Sequence, residues 1–160
     1  MSLCLIDRPE PRCVRLPATR LAWAASNLVY GNTDHPLQGP QVLRLDLATG
    51  INVTFTSQIR QPALEEKRFM VCCMENMELC DEHNYGQANG WQGVKMVDWW
   101  TGNGQTTIVL DPTEACSGSG QFSGLAYLWR ETPCSGELAC PLYSDDEYNM
   151  PVAPFKYSLV

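Results

Sequence analysis

The side chains that could support hydrolysis are few and lie far apart along the chain. A serine hydrolase needs a nucleophilic serine, a histidine base and an acid that orients the imidazole. The two histidines, His35 and His83, both lie in polar, turn-rich stretches. Ser123 stands in Gly-Gln-Phe-Ser-Gly, which is not the Gly-x-Ser-x-Gly elbow of hydrolases. We therefore interpret both histidines as solvated loop residues and Ser123 as a turn residue, and we assign no catalytic residue.

Eight cysteines indicate covalent cross-links. An even count in a loop-rich chain is typical of an oxidising compartment. Cys134 and Cys140 enclose Ser-Gly-Glu-Leu-Ala between two prolines. A bridge between them would stabilise the fold by about 2 kcal/mol. Because the spacing is not the Cys-x-x-Cys of redox enzymes, a structural bridge is favoured. For a second bridge we predict the pair Cys73 and Cys80.

The same region could also be interpreted as a zinc site. Cys72, Cys73, Cys80 and His83 offer the sulfur and nitrogen ligands that zinc prefers. Adjacent residues of a strand point to opposite faces, so Cys72 and Cys73 would not easily share one ion. Disulfides are therefore favoured, and neither a metal site nor another cofactor is predicted.

Two features connect the chain with carbohydrate. Trp91, Trp99 and Trp100 could stack on sugar rings, although aromatic residues at strand spacing more often belong to the core. Asn52-Val53-Thr54 is an N-glycosylation sequon. The alternation of its strand places Asn52 on the solvent-facing side, where a glycan could be tolerated.

One short helix must precede the region that holds these residues. It is predicted over residues 17–31, because Pro17 suits the first helical turn and Gly31 suits the position just after the end. Its apolar stripe is formed by Leu21, Ala24, Ala25 and Leu28. A turn-rich linker follows over residues 32–40.

Beyond residue 40 the apolar period changes to two, which predicts strands. Leu43, Leu45 and Leu47 alternate with polar residues, and the run from Ile51 to Phe55 does the same, so these two runs predict a hairpin. Further strands are predicted over residues 68–73, 93–99, 106–110, 124–130 and 154–160. The pattern favours an all-β fold: an antiparallel β-sandwich of the jelly-roll or immunoglobulin-like kind over residues 41–160, preceded by one helix.

Charge and composition argue against nucleic acid as a partner and against a membrane span. The net charge is −7, and Lys and Arg do not cluster, which argues against nucleic acid. No apolar run reaches the length of a membrane span.

The first ten residues lack the features of a signal peptide, which leaves two interpretations: a cytosolic protein with free thiols, or a chain whose true N-terminus is missing. We favour the second.

The later part of the chain resembles the C-terminal end of sialate O-acetylesterases. The matching blocks are Leu125-Ala126-Tyr127-Leu128-Trp129, Pro133-Cys134, Cys140-Pro141-Leu142-Tyr143 and Pro151-Val152-Ala153-Pro154-Phe155. The stretches around residues 20–31, 50–59 and 69–73 also resemble this family, so the resemblance extends over most of the chain from about residue 10.

The resemblance implies a role without an active site. Sialate O-acetylesterases remove O-acetyl groups from sialic acids by means of a serine hydrolase domain of the SGNH type, in lysosomes or outside the cell. The family's Gly-Gln-Ser-Asn block has no match here, and Glu10 stands where the family has its catalytic histidine. A carboxylate is too weak a base to activate a serine near neutral pH.

The resemblance therefore implies that the chain is inactive alone and accompanies an upstream SGNH catalytic domain that acts on O-acetylated sialoglycans. Residues 1–40 would be the end of that domain plus a linker. The helix of residues 17–31 is then expected to be partly exposed or loosely docked. The alternatives are a free-standing glycan-binding β-sandwich and a structural protein without a ligand.

Overall fold

The computed structural model describes residues 15–47, 50–62, 68–81, 90–116, 122–128 and 142–159. Within these residues the chain has one α-helix, α1, over Arg15–Tyr30, a short 3₁₀ helix over Met77–Leu79, and seven strands. The strands are β1 (Val42–Leu47), β2 (Ile51–Phe55), β3 (Phe69–Cys72), β4 (Trp91–Gly102), β5 (Gln105–Asp111), β6 (Gly124–Tyr127) and β7 (Phe155–Ser158). The helix and all seven predicted strands are confirmed, with ends shifted by a few residues.

The end of α1 follows from the glycine that the sequence places there. Gly31 has a φ of 67°, a left-handed conformation that glycine adopts without steric penalty. Its amide donates to the Asn27 carbonyl oxygen at 3.1 Å, and the Asn32 amide donates to the Ser26 carbonyl oxygen at 3.3 Å. These bonds use carbonyl groups of the last turn that would otherwise lack partners.

The strands form one antiparallel sheet in the order β1-β2-β5-β4-β3-β6-β7. β4 is long because it pairs twice: Trp91–Val94 pair with β3, and Lys95–Gly102 pair with β5. A β-bulge between Met96 and Asp98 lies near this change of partner, and bulges bend and twist a strand. We call β1, β2, β5 and the later part of β4 the first half-sheet, and the remainder the second half-sheet.

The core lies between the two half-sheets. Apolar side chains from both contribute to one cluster, whose fully buried members include Ile51, Val53, Phe55, Phe69, Val71, Ile108, Leu110, Leu125 and Tyr127. The rings of Phe69 and Tyr127 lie 4.9 Å apart, and those of Tyr127 and Phe155 lie 5.4 Å apart. The molecule is thus a bent antiparallel sheet that packs on itself, which confirms the predicted all-β, sandwich-like fold.

The edge strand β1 departs from the predicted alternation. Leu45 packs against the core, but Leu43 and Leu47 are 54% and 48% exposed. The pairing with β2 shifts register between Val42 and Arg44, so Leu43 is the extra residue of a bulge. The bulge accounts for the outward position of Leu43, because an extra residue changes which side chains of a strand point inward.

Two disulfides flank the end of β3, and they correct the predicted pairing. Cys72 is bonded to Cys80, and Cys73 is bonded to Cys116. The predicted pair of Cys73 and Cys80 is wrong because adjacent strand residues point to opposite faces. Cys72 and Cys80 belong to a small apolar cluster outside the main core, whereas Cys73 packs against the core next to Cys116. The predicted bridge between Cys134 and Cys140 lies outside the described residues.

Candidate functional site

Ser123 and His35 both have structural partners, and His35 is half-buried against aromatic rings and is not the predicted solvated loop residue. Ser123 is buried, and its hydroxyl donates to the Cys72 sulfur at 3.5 Å. His35 packs against the rings of both Trp23 and Tyr148, and the structure shows no hydrogen bond from it to a serine within the described residues. His83 and Glu10 lie outside those residues.

The cysteines considered as zinc ligands are oxidised. Cys72, Cys73 and Cys80 are all in disulfides, which supports the interpretation as cross-links. No group of three or more possible metal ligands occurs in the described part of the chain. In the same part, α1 is too short and too polar to cross a membrane.

The inner face of α1 docks on the sandwich through Arg20, Trp23 and Asn27, which lie at helical spacing. The Trp23 ring stacks on the His35 ring with centroids 4.9 Å apart and meets the Tyr148 ring edge-on at 5.5 Å. The Asn27 side-chain amide donates to the His35 carbonyl oxygen at 3.1 Å. Arg20 donates to the Asn149 carbonyl oxygen at 2.6 Å, so the helix is held by aromatic contact and hydrogen bonds together.

A hydrogen-bonded loop of residues 144–150 forms the surface on which α1 docks. One carboxylate oxygen of Asp146 accepts hydrogen bonds from the Ser144 hydroxyl and from the amides of Tyr148 and Asn149. The Tyr148 hydroxyl donates to the Asp34 carbonyl oxygen at 2.9 Å and so ties the linker to this loop. A side-chain hydrogen bond with Glu147, desolvation and the charges of nearby acidic residues raise the pKa of Tyr148 above its ordinary value.

The linker that joins α1 to β1 passes in close contact with the end of the same loop. Gly39 lies so near Pro151 that a β-carbon at this position would collide with the Pro151 carbonyl oxygen. Glycine is therefore required where the linker and the loop touch. Helix, linker and loop form one docked unit on the sandwich.

The outer face of α1, which we define as Leu21, Ala25, Leu28 and Val29, has no partner within the described residues. Leu21, Leu28 and Val29 are 70%, 72% and 70% exposed. The predicted partial exposure of the helix is confirmed, whereas its inner face is docked by specific contacts. Three neighbouring aliphatic side chains in water are an unfavourable surface, and such patches mark sites of protein contact.

The three tryptophans considered for sugar stacking do not share one surface. Trp91 is 3% exposed and belongs to the small cluster around the Cys72–Cys80 disulfide. Trp99 is partly buried against the core. Trp100 is 48% exposed on the outer side of the first half-sheet. Asn52 lies on β2, on the face opposite the buried Ile51 and Val53, and is partly exposed.

The docked face of α1 is the part of this site that the sequence patterns did not reveal. The leucine stripe does not include Arg20, Trp23 and Asn27, which lie on the other side of the helix. Their spacing of three and seven residues is itself a helical signal. The partner loop gave no such signal, because its contacts join residues more than 100 positions apart.

Comparison with known proteins agrees with this architecture. Residues 43–159 match the family model described as sialate O-acetylesterase C-terminal domain. Among solved structures, a carbohydrate acetylesterase from Xanthomonas citri is similar, with a TM-score of 0.54, 18% identity and coverage of 91% of this chain. The chain spans 28% of the length of that protein. A search of curated proteins gives no match.

Proposed function

The chain belongs to the family of sialate O-acetylesterase C-terminal domains, and from this premise we propose that it is the supporting domain of a carbohydrate esterase. A companion catalytic domain of the SGNH type would carry the serine that hydrolyses the acetyl ester. The substrate class is O-acetylated sialic acid on glycans. The chain itself contributes a cross-linked support and no reacting group, so it is inactive alone.

The observation that carries the proposal is the division of α1 into two faces. Its inner face is engaged through Trp23 and Asn27, while its outer face presents Leu21, Leu28 and Val29 to solvent. A helix fixed on one side and apolar on the other is suited to bridge two packed bodies. The companion catalytic domain is the occupant that we assign to the outer face, because the family to which the chain belongs implies such a companion.

Secretion or lysosomal localisation is part of the proposal. The Cys72–Cys80 and Cys73–Cys116 disulfides support it, because such bonds persist in oxidising compartments and are rare in the cytosol.

The claim of inactivity is tested by an acetyl-ester assay on the purified chain, with 4-nitrophenyl acetate and an O-acetylated sialic acid as substrates. We expect no turnover above the buffer rate. Turnover that a serine-directed phosphonate abolishes would overturn the claim.

The docking claim is tested by binding of the chain to a separately produced SGNH domain of this family. We expect binding by the unchanged chain and at least tenfold weaker binding by Leu21→Ser/Leu28→Ser, since each buried leucine contributes about 1.5–3 kcal/mol. Leu79→Ser is the matched control, because Leu79 is 51% exposed on a different surface. Equal losses in both variants, or none in either, would contradict the assignment of the outer face.

A further inference from the structure

A second surface of the molecule, separate from α1, has a sequon at its centre. Cross-strand pairing sets two parallel rows of side chains on the outer side of the first half-sheet. One row is Asp46, Asn52, Val109 and Asp98, and the next is Arg44, Thr54, Thr107 and Trp100. We call these two rows the outer sheet face.

The exposed positions of the outer sheet face are suited to carbohydrate, whereas Thr54 and Thr107 within it are buried. Asp46 lies beside Asn52 in its row, and Asp98 lies two strands away beyond Val109; both carboxylates can accept hydrogen bonds from sugar hydroxyl groups. Trp100, one row away on β4, is a large ring left half exposed. Two strand spacings separate β2 from β4, about 10 Å in total, and one row advances about 7 Å along the strands. The first sugars attached to Asn52 can cover this span.

We propose that Asn52 carries an N-linked glycan that packs across the outer sheet face onto Trp100. The donor is an oligosaccharide linked to a lipid diphosphate. The amide nitrogen of Asn52 forms a bond to the anomeric carbon of the first sugar, the bond from that carbon to the diphosphate oxygen breaks, and one amide proton leaves. The proposal rests on passage through a secretory compartment, which is part of the proposed function.

The folded structure also determines when the glycan is added. β2 is an inner strand whose backbone pairs with β1 on one side and with β5 on the other. Thr54 is 5% exposed, and its hydroxyl shares a hydrogen bond of 3.0 Å with the Thr107 hydroxyl. A transferase that must contact all three sequon residues cannot reach them there. Addition therefore precedes the pairing of β2 with β5.

Synthesis leaves time for this order of events. β5 begins at Gln105, so it emerges some 50 residues after Asn52. At roughly 5–20 residues per second the sequon waits several seconds for its second partner strand. The β1–β2 hairpin alone is a marginal structure, so the sequon stays accessible during this interval.

The attachment is tested by expression of the whole chain behind a cleavable secretory leader in eukaryotic cells. We expect intact mass to show one N-glycan on the unchanged chain and on Thr54→Ser, which keeps the sequon hydroxyl. Asn52→Gln and Thr54→Ala, which break the sequon at different positions, should lack it. A secreted, unchanged chain without the added mass overturns the proposal.

Timing and packing have separate tests. Folded, unglycosylated chain added to microsomes should gain no glycan, whereas chain translated in the presence of microsomes should gain one. Modification of the folded chain would show that glycan addition does not have to precede strand pairing.

For packing, the glycosylated chain should melt roughly 2–4 °C above its Asn52→Gln variant. This gain should vanish in a Trp100→Ala background and persist in a Leu79→Ala background. If the glycosylated chain kept its higher melting temperature in the Trp100→Ala background, the proposed stacking would be overturned.

Discussion

Tyr127 is a core residue that combines a packed aromatic ring with a buried hydroxyl group. Tyr127 is fully buried between the half-sheets, and its hydroxyl makes no hydrogen bond of good geometry among the described residues, although a contact with the Leu142 backbone favours its charged form. Burial raises the pKa of Tyr127 above its ordinary value of 10.0, because the charged form would lose its hydration. The ring contributes packing, whereas the hydroxyl contributes little.

We therefore expect opposite results from two substitutions at Tyr127. Tyr127→Phe keeps the ring and removes a hydroxyl without a hydrogen bond of good geometry, so the free energy of unfolding should stay within about 1 kcal/mol of the original. Tyr127→Ala should lower it by about 3–5 kcal/mol through loss of the ring. Denaturant unfolding measures both. A large loss in the phenylalanine variant would mean that the hydroxyl has a partner in solution.

The same residue predicts part of the pH dependence of stability. In the unfolded chain Tyr127 loses its proton near pH 10, whereas in the folded chain it keeps the proton to higher pH. The contribution of this shift to stability is therefore complete below pH 10 and is lost as the pH rises above that value. Unfolding at pH 9 and pH 11 should show a smaller decline for Tyr127→Phe than for the unchanged chain; equal declines would contradict the assignment.

At the scale of elements, the stability of α1 depends on one of its two faces. A helix of 16 residues is marginal in water without tertiary contacts. Its contacts to the sandwich run through Arg20, Trp23 and Asn27, with His35 and Tyr148 as aromatic partners. The stability of α1 should therefore respond to its inner face and not to its outer face.

Hydrogen exchange of the α1 amides tests this dependence. Trp23→Ala should speed the exchange of α1 amides by about tenfold or more, which corresponds to about 1.4 kcal/mol, and should leave the strands protected. Leu28→Ala, at a position 72% exposed on the same helix, is the matched control and should change little in the isolated chain. Similar effects of the two substitutions would show that the docked geometry is not the one that stabilises the helix.

For the whole molecule, the two disulfides restrict the unfolded chain by different amounts. Cys73 and Cys116 are 43 residues apart, whereas Cys72 and Cys80 are 8 apart. Chain-entropy estimates give about 4 kcal/mol for the longer loop and about 2.5 kcal/mol for the shorter. The longer bridge also joins the end of β3 to the turn after β5, and so connects the two half-sheets.

Removal of each bridge by paired alanine substitution should reveal this difference. The variant without Cys73–Cys116 should lose more free energy of unfolding in guanidinium than the variant without Cys72–Cys80, by about 1–2 kcal/mol. The comparison uses oxidised protein whose remaining bridges have been mapped by mass spectrometry. The reverse ranking would show that the packing around Cys72 and Cys80 outweighs the loop lengths.

The sequence by itself determined the type and order of the elements, because helix and strand periods and the Gly31 helix end depend on residues close together in the chain. It also determined the family through short ordered blocks of residues. Only the tertiary structure decided the partners of Cys72 and Cys73, the exposure of Leu43, the burial of Trp91 and the docking of Trp23 on His35 and Tyr148. These depend on bulges, on strand register and on contacts between distant residues, which local periodicity does not encode.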